Sequence, residues 1–253
     1  MRKLLTTAVM MMALSIMSTE TFAEGSKPFS ATAVQAANGQ EQVGKLFVSD
    51  QGVRYEYVER GREMIKIVLH KEQVMRILFP QEKQFIEIKA PAGTPAPGME
   101  NEKPCPPVDG LVCEKVADAK FGNLAVEQWS QTHAPSKTSS KLWWEPVRKM
   151  VVRQEYSTGQ IMQLTRLEDV DFEGRSVEHW DVSFATPDGK VSKMSRYIDM
   201  DIGIIVKVDD PARGMKRELR NVKVATDDQG WFSVPQGYQR IKAPKAPGAT
   251  MGR

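Results

Sequence analysis

The chain has 253 residues, a formal net charge of +3, two cysteines and 41% apolar residues. This length and apolar content suffice for one sizeable globular domain. The charge is close to neutral, and no cluster of Lys and Arg alternates with aromatic residues, which disfavours nucleic acid as a partner.

The first residues are typical of a secretory signal peptide. Arg2 and Lys3 precede an uncharged apolar run over residues 4–17, and Thr21-Phe22-Ala23 ends in a small-x-small cleavage site. The run is too short to span a membrane, and the alternative is a buried N-terminal helix. We therefore predict a signal peptide over residues 1–23 and a periplasmic protein that does not span the membrane. No cysteine directly follows the cleavage site, so we expect no lipid anchor there.

Residues 29–89 predict an antiparallel meander. Short apolar or alternating runs recur about every ten residues, and turn residues such as Asn38-Gly39 and Arg60-Gly61 separate them. The predicted strands are residues 29–35, 43–48, 53–59, 64–69, 74–79 and 85–89.

Residues 90–120 differ from the rest because they begin with a stretch rich in Pro and Gly and contain both cysteines. In an oxidising compartment, Cys105 and Cys113 predict a disulfide across this loop. The alternative is a metal-binding pair, which would need two further ligands. Residues 112–120 are predicted to form a short helix.

Residues 121–170 and 172–224 look like two copies of one unit. Val126-Glu127-Gln128-Trp129 returns as Val177-Glu178-His179-Trp180, and Trp143-Trp144 aligns with Tyr197-Ile198. A repeat of this length indicates a repeated supersecondary unit, here predicted as three strands with Trp129 equivalent to Trp180. The predicted single domain covers residues 24–241, and a disordered basic tail follows over residues 242–253.

The sequence contains little that suggests catalysis. The three histidines are scattered, no serine lies in a nucleophile elbow, and the acidic runs at 168–171 and 199–201 coincide with predicted turns or a polar strand face. A hydrolase that uses those carboxylates remains an alternative. We predict no enzyme, no catalytic residue, no metal and no cofactor.

Three short motifs carry a family resemblance: residues 44–46 leading to Val-Arg-Tyr-Glu at 53–56, Phe-Pro-Gln-Glu-Lys-Gln-Phe at 79–85, and residues 218–222 followed by 234–238. In these motifs the chain resembles the LolA/LolB-like periplasmic proteins, which include lipoprotein carriers and the RseB sensor. The resemblance covers residues 29–241. It implies a mainly β fold, a curved antiparallel sheet or unclosed half-barrel with few short helices, and a concave face that takes acyl chains or apolar peptides.

The residues expected to contact such a ligand are Trp143, Trp144, Tyr197, Ile198 and Met75. Adjacent residues in a strand point to opposite faces, so only one of Trp143 and Trp144 can line the concave face. The expected function is a periplasmic carrier or binding protein for a lipid, a lipoprotein acyl chain or a hydrophobic peptide. The alternative is an envelope interaction or sensor protein that has a protein partner and no transported ligand.

Overall fold

The computed structural model describes residues 27–37, 39–89, 104–105, 109–226, 228 and 230–242. The predicted signal peptide, most of the Pro/Gly-rich segment and residues 243–253 of the predicted tail lie outside these residues.

Strands dominate the described residues, and the first six agree closely with the predicted ones. In chain order the strands are β1 (Phe29–Ala37), β2 (Gln40–Val48), β3 (Gly52–Glu59), β4 (Arg62–Leu69), β5 (Val74–Phe79), β6 (Gln84–Lys89), β7 (Leu111–Phe121), β8 (Leu124–His133), β9 (Thr138–Glu145), β10 (Met150–Tyr156), β11 (Ile161–Phe172), β12 (Arg175–Ala185), β13 (Val191–Asp199), β14 (Ile204–Asp210), β15 (Met215–Val224) and β16 (Gln239–Arg240). A single turn of 3₁₀ helix, Pro211–Arg213, precedes β15.

All of these strands belong to one sheet, in the order β16-β6-β5-β4-β3-β2-β1-β15-β14-β13-β12-β11-β10-β9-β8-β7. The sheet consists of two meanders, β1–β6 and β7–β15, which are joined by the antiparallel pairing of β1 with β15. Only β16 is parallel to its neighbour, β6. Because β16 and β7 stand at the two ends of this order, the sheet is unclosed. The predicted fold class is confirmed.

The sheet curves where its two meanders meet. Phe29 on β1 packs in one buried cluster with Ile204 and Val206 on β14, although β15 lies between these strands. Strands two positions apart are separated by about 10 Å in a flat sheet, so curvature brings these side chains together. We call this group the central cluster; its buried members are Phe29, Ala31, Leu46, Val48, Val53, Val177, Ile202, Ile204 and Val206.

The C-terminal segment covers one face of the first meander. Phe232 is 6% exposed and packs against Ile67 and Leu78. Arg54 Nη1 donates to the carbonyl oxygen of Trp231 at 3.0 Å, which helps to hold the segment on the sheet.

The helix predicted over residues 112–120 is wrong, because these residues belong to β7. The segment contains helix-favouring Ala, Glu and Lys, but all of its residues except Val116 pair with β8. Charged side chains such as Glu114, Asp118 and Lys120 suit the edge of a sheet, where they oppose pairing with another chain. No helix among the described residues is both long enough and apolar enough to cross a membrane.

Each segment of the proposed repeat holds four strands rather than three, β8–β11 in the first and β12–β15 in the second. The prediction of three strands fails in the first segment because a turn interrupts the apolar run over residues 143–153. Pro146 and the left-handed backbone of Lys149 (φ 49°) divide that run into β9 and β10. The structural equivalence of the two segments stays a prediction.

Candidate functional site

A half-buried apolar surface covers part of the second meander. We call it the methionine face, and its members are Trp143, Met150, Met162, Phe184, Met194 and Ile198. These side chains pack against a buried layer that consists of Val126, Val152, Leu164, Trp180 and Val182, each at most 3% exposed. A face of flexible Met side chains and aromatic rings can adapt its shape to different apolar surfaces.

Part of this face comes from β12, in which every second side chain is apolar. Trp180, Val182 and Phe184 alternate with polar residues, and successive side chains of a strand point to opposite faces. Val182 pairs with Met194 on β13. Phe184 pairs with Met162 on β11. The apolar residues of three neighbouring strands are therefore aligned.

A buried ion cluster joins this region to the β9–β10 turn. Arg148 donates twice to Glu178, from Nε to Oε2 at 2.7 Å and from Nη2 to Oε1 at 2.7 Å. Its Nη1 also contacts Glu145 Oε2 at 3.2 Å, and Arg166 Nη2 lies 3.2 Å from Glu178 Oε1. The guanidinium lies over the ring of Trp180, 5.6 Å from its centroid.

The charges in this cluster stabilise one another. Burial acts to raise the pKa of Glu178, but the hydrogen bonds from Arg148 and Trp180 outweigh it and leave the pKa below its ordinary value. The bonds to Glu178 raise the pKa of Arg148 further above its ordinary value. Both groups stay charged near neutral pH and hold the turn against β12.

A second concavity lies near the start of β12. It is a half-open cavity of about 450 Å³ lined by Phe172, Glu173, Arg175, Val206, Leu219, Asn221 and Val222. Its apolar lining residues belong to or pack against the central cluster. Arg175 is bonded to the buried carboxylate of Asp199, and Glu173 Oε2 accepts from the backbone N–H of Asn221 at 2.7 Å.

Three ring systems and a lysine lie beside this cavity. The rings of His179 and Tyr197 are stacked, with centroids 4.4 Å apart and planes 7° apart. Lys207 Nζ lies 4.8 Å from the Tyr197 centroid and 5.8 Å from the Phe172 centroid. Burial raises the pKa of Tyr197, and the nearby charge of Asp209 adds to this effect.

The structure does not bring the five predicted ligand residues together. Trp143 and Ile198 both belong to the methionine face, whereas Tyr197 packs against the central cluster. Trp144 is 6% exposed and packs with Trp129 and the two cysteines. Met75 lies on β5, in the other meander. Their role in binding stays a prediction.

The cysteines lie on the side of β9 where Trp144 is buried. Cys105 and Cys113 are at disulfide distance, with Cα atoms 6.3 Å apart. They pack against the cluster that contains Trp129, Leu142 and Trp144. The two cysteines therefore shield part of these side chains.

The acidic residues that the hydrolase alternative needs are in unlike positions. The Asp199 side chain is 1% exposed and ion-paired with Arg175, whereas that of Asp201 is 88% exposed. In the described part of the chain, no group of three or more His, Cys, Asp or Glu side chains could hold a metal ion.

The sequence did not reveal the ion cluster, although one signal was available. Trp180 Nε1 donates to Glu178 at 3.0 Å, and Trp129 Nε1 donates to Glu127 at 3.0 Å. The repeated Glu-x-Trp pattern places both side chains on one face of a strand, within bonding reach. The pairing of Arg148 with Glu178 could not be predicted from this pattern, because the two residues are 30 positions apart in the chain.

No family model matches the sequence, and no curated protein was found to be similar to it. Several solved structures are similar in fold. A LolA superfamily protein from Nitrosomonas europaea has a TM-score of 0.36 at 10% identity, with 84% of this chain and 92% of that chain covered. A putative outer membrane lipoprotein-sorting protein domain from Vibrio parahaemolyticus has a TM-score of 0.36 at 11% identity, with 82% of this chain and 89% of that chain covered. The MucA/MucB complex structure of Pseudomonas aeruginosa has a TM-score of 0.21 at 11% identity, with 81% of this chain and 90% of that chain covered. The solved structures found to be similar include a LolA superfamily protein, the family that the sequence motifs resemble.

Proposed function

We propose that the protein is a periplasmic binding or carrier protein that holds an apolar group, such as a lipoprotein acyl chain or a hydrophobic peptide, on the methionine face. The observation that carries this proposal is the row of half-buried Met and aromatic side chains over a fully buried layer. Burial of an acyl chain contributes about 0.8 kcal/mol per methylene, so a modest apolar surface can hold a lipid without any reacting group.

The two adjacent tryptophans supply a built-in test. Trp143 belongs to the methionine face, with the Arg153 guanidinium 5.6 Å from its ring centroid, whereas Trp144 is buried beside the cysteines. We expect a lipopeptide or dodecanol to shift the tryptophan fluorescence of the protein. The shift should disappear in Trp143→Phe and persist in Trp144→Phe.

A second pair of variants locates the ligand. Met162→Gln places a polar group on the methionine face, and Met64→Gln makes the same change on β4, in the other meander. We expect the first variant to weaken binding and the second to leave it unchanged. Equal responses from the Trp143 and Trp144 variants, or weaker binding in Met64→Gln alone, would contradict the proposed location.

An interaction or sensor protein remains the second candidate because of β7. This strand is at one edge of the sheet, and its side chains Val112 and Val116 are 57% and 62% exposed. An edge strand can pair with an extended segment of another protein. An envelope protein recovered in stoichiometric amount, with no bound lipid in an organic extract of the complex, would favour this function.

A further inference from the structure

Lys207 carries a charge that the described residues do not pair. Its side chain is half-buried and its ammonium lies between the rings of Tyr197 and Phe172. Within the described part of the chain, no carboxylate lies within 4.0 Å of this ammonium. A half-buried ammonium that no described carboxylate pairs is available to a bound anion, which would balance its charge.

The charged groups that line the cavity, Arg175 and Glu173, already have partners. Arg175 is bonded to Asp199 and lies 4.0 Å from Asp201, and Glu173 accepts from the Asn221 amide. These contacts engage the two charged groups of the lining. Lys207 does not itself line the cavity, but its ammonium lies 5.8 Å from the Phe172 ring that does, and it is available to an incoming acid.

The apolar lining determines what accompanies the acid group. Phe172 connects the cavity with the lysine, because it lines the cavity and its ring centroid lies 5.8 Å from Lys207 Nζ. Val206, Leu219 and Val222 complete an apolar surface that suits methylene groups rather than a hydrated ion. The volume of about 450 Å³ falls within the range of ordinary small-molecule sites.

We propose that this cavity binds an anionic amphiphile, with its acid group on Lys207 and its first methylenes against Phe172, Val206 and Leu219. The site is separate from the methionine face and goes beyond the proposed function. The acid group is a carboxylate or a phosphate, and both provide the oxygen acceptors that an ammonium binds.

Ligands of one chain length test the proposal by calorimetry on the exported protein. Dodecanoate and dodecyl phosphate should each bind more tightly than dodecanol, and the ratio between the two acids identifies which acid group the site prefers. Lys207→Met keeps the apolar stem and removes the charge. We expect this variant to lose about tenfold in affinity for the acids, the effect of one charge-assisted hydrogen bond, and nothing for dodecanol.

Two controls separate charge from folding. Lys207→Arg should keep the preference for acids, and Lys193→Met, which removes an exposed charge from β13, should leave binding unchanged. Equal affinity of the wild-type protein for acids and dodecanol would overturn the proposal, as would an unchanged preference in Lys207→Met. A lost Trp143 response with intact Lys207-dependent binding would refute the methionine face and leave this site standing.

Discussion

The ion cluster around Glu178 gives the sharpest test of how this sheet is held together. Glu178→Gln removes the charge that receives two bonds from Arg148 and one close contact from Arg166. The Gln side chain can still accept from Trp180 Nε1, so the substitution acts mainly on the ion pairs. Because the Glu178 and Arg148 side chains are only 8% and 16% exposed, water cannot fully replace the lost partner.

We expect the free energy of unfolding to fall by about 3 kcal/mol, the lower end of the range for removing one partner of a buried pair. For a chain of this size that corresponds to a fall in Tm of roughly 6–12 °C. Urea denaturation followed by tryptophan fluorescence measures the first quantity, and calorimetry measures the second.

The same variant should change how stability depends on pH. The pKa of Glu178 is lower in the folded protein than its ordinary value of 4.5. Its contribution is therefore fully present above that value and is lost as the pH falls through the folded pKa. We expect Glu178→Gln to lack this part of the acid destabilisation.

The matched control is an ion pair at the surface. Asp188 bonds Lys190 at 2.8 Å, but these side chains are 55% and 85% exposed. Asp188→Asn should leave Tm almost unchanged, because exposed pairs contribute little. If both variants lose the same stability, the Glu178 cluster does not support the fold in the way its burial implies.

Three further predictions concern other parts of the chain. Reducing Cys105–Cys113 should lower the free energy of unfolding by about 2.5 kcal/mol, and an unchanged Tm in reductant would contradict it. Burial lowers the pKa of His70, although the nearby charge of Asp50 acts to raise it. The free energy of unfolding should therefore fall as the pH drops below the ordinary His pKa of 6.5. His70→Leu should remove this loss when denaturation is compared at pH 7 and pH 5. Amino-terminal sequencing of the exported protein should begin at Glu24, and a retained apolar segment would refute cleavage.

Sequence patterns alone sufficed for most individual strands. The alternation of Val53, Tyr55 and Tyr57 predicted a strand over residues 53–59, and the structure has β3 over Gly52–Glu59. Such predictions succeed because the period of two and the turn residues act within a few positions of the chain. The adjacent pair Trp143 and Trp144 illustrates the same locality, since the two side chains pack in different clusters as alternation requires.

Local patterns failed where a neighbouring strand decided the outcome. The residues over 112–120 favour a helix by composition, yet pairing with β8 makes them an edge strand. Propensity is a weak determinant beside such tertiary contacts. The division of residues 143–153 into β9 and β10 has a local cause instead, because Pro146 is followed by a turn in which the Arg148 N–H donates to Glu145 Oε2 at 2.8 Å.

What the sequence determined by itself was therefore the all-β class, most strand positions and the residue types available for an apolar site. Only the tertiary structure decided that β1 lies beside β15, that Glu178 meets Arg148, and that Lys207 stands between Tyr197 and Phe172. Most of these contacts join residues far apart in the chain, which the pairing and curvature of a single sheet bring together. No local pattern specifies them, because each depends on which strands become neighbours.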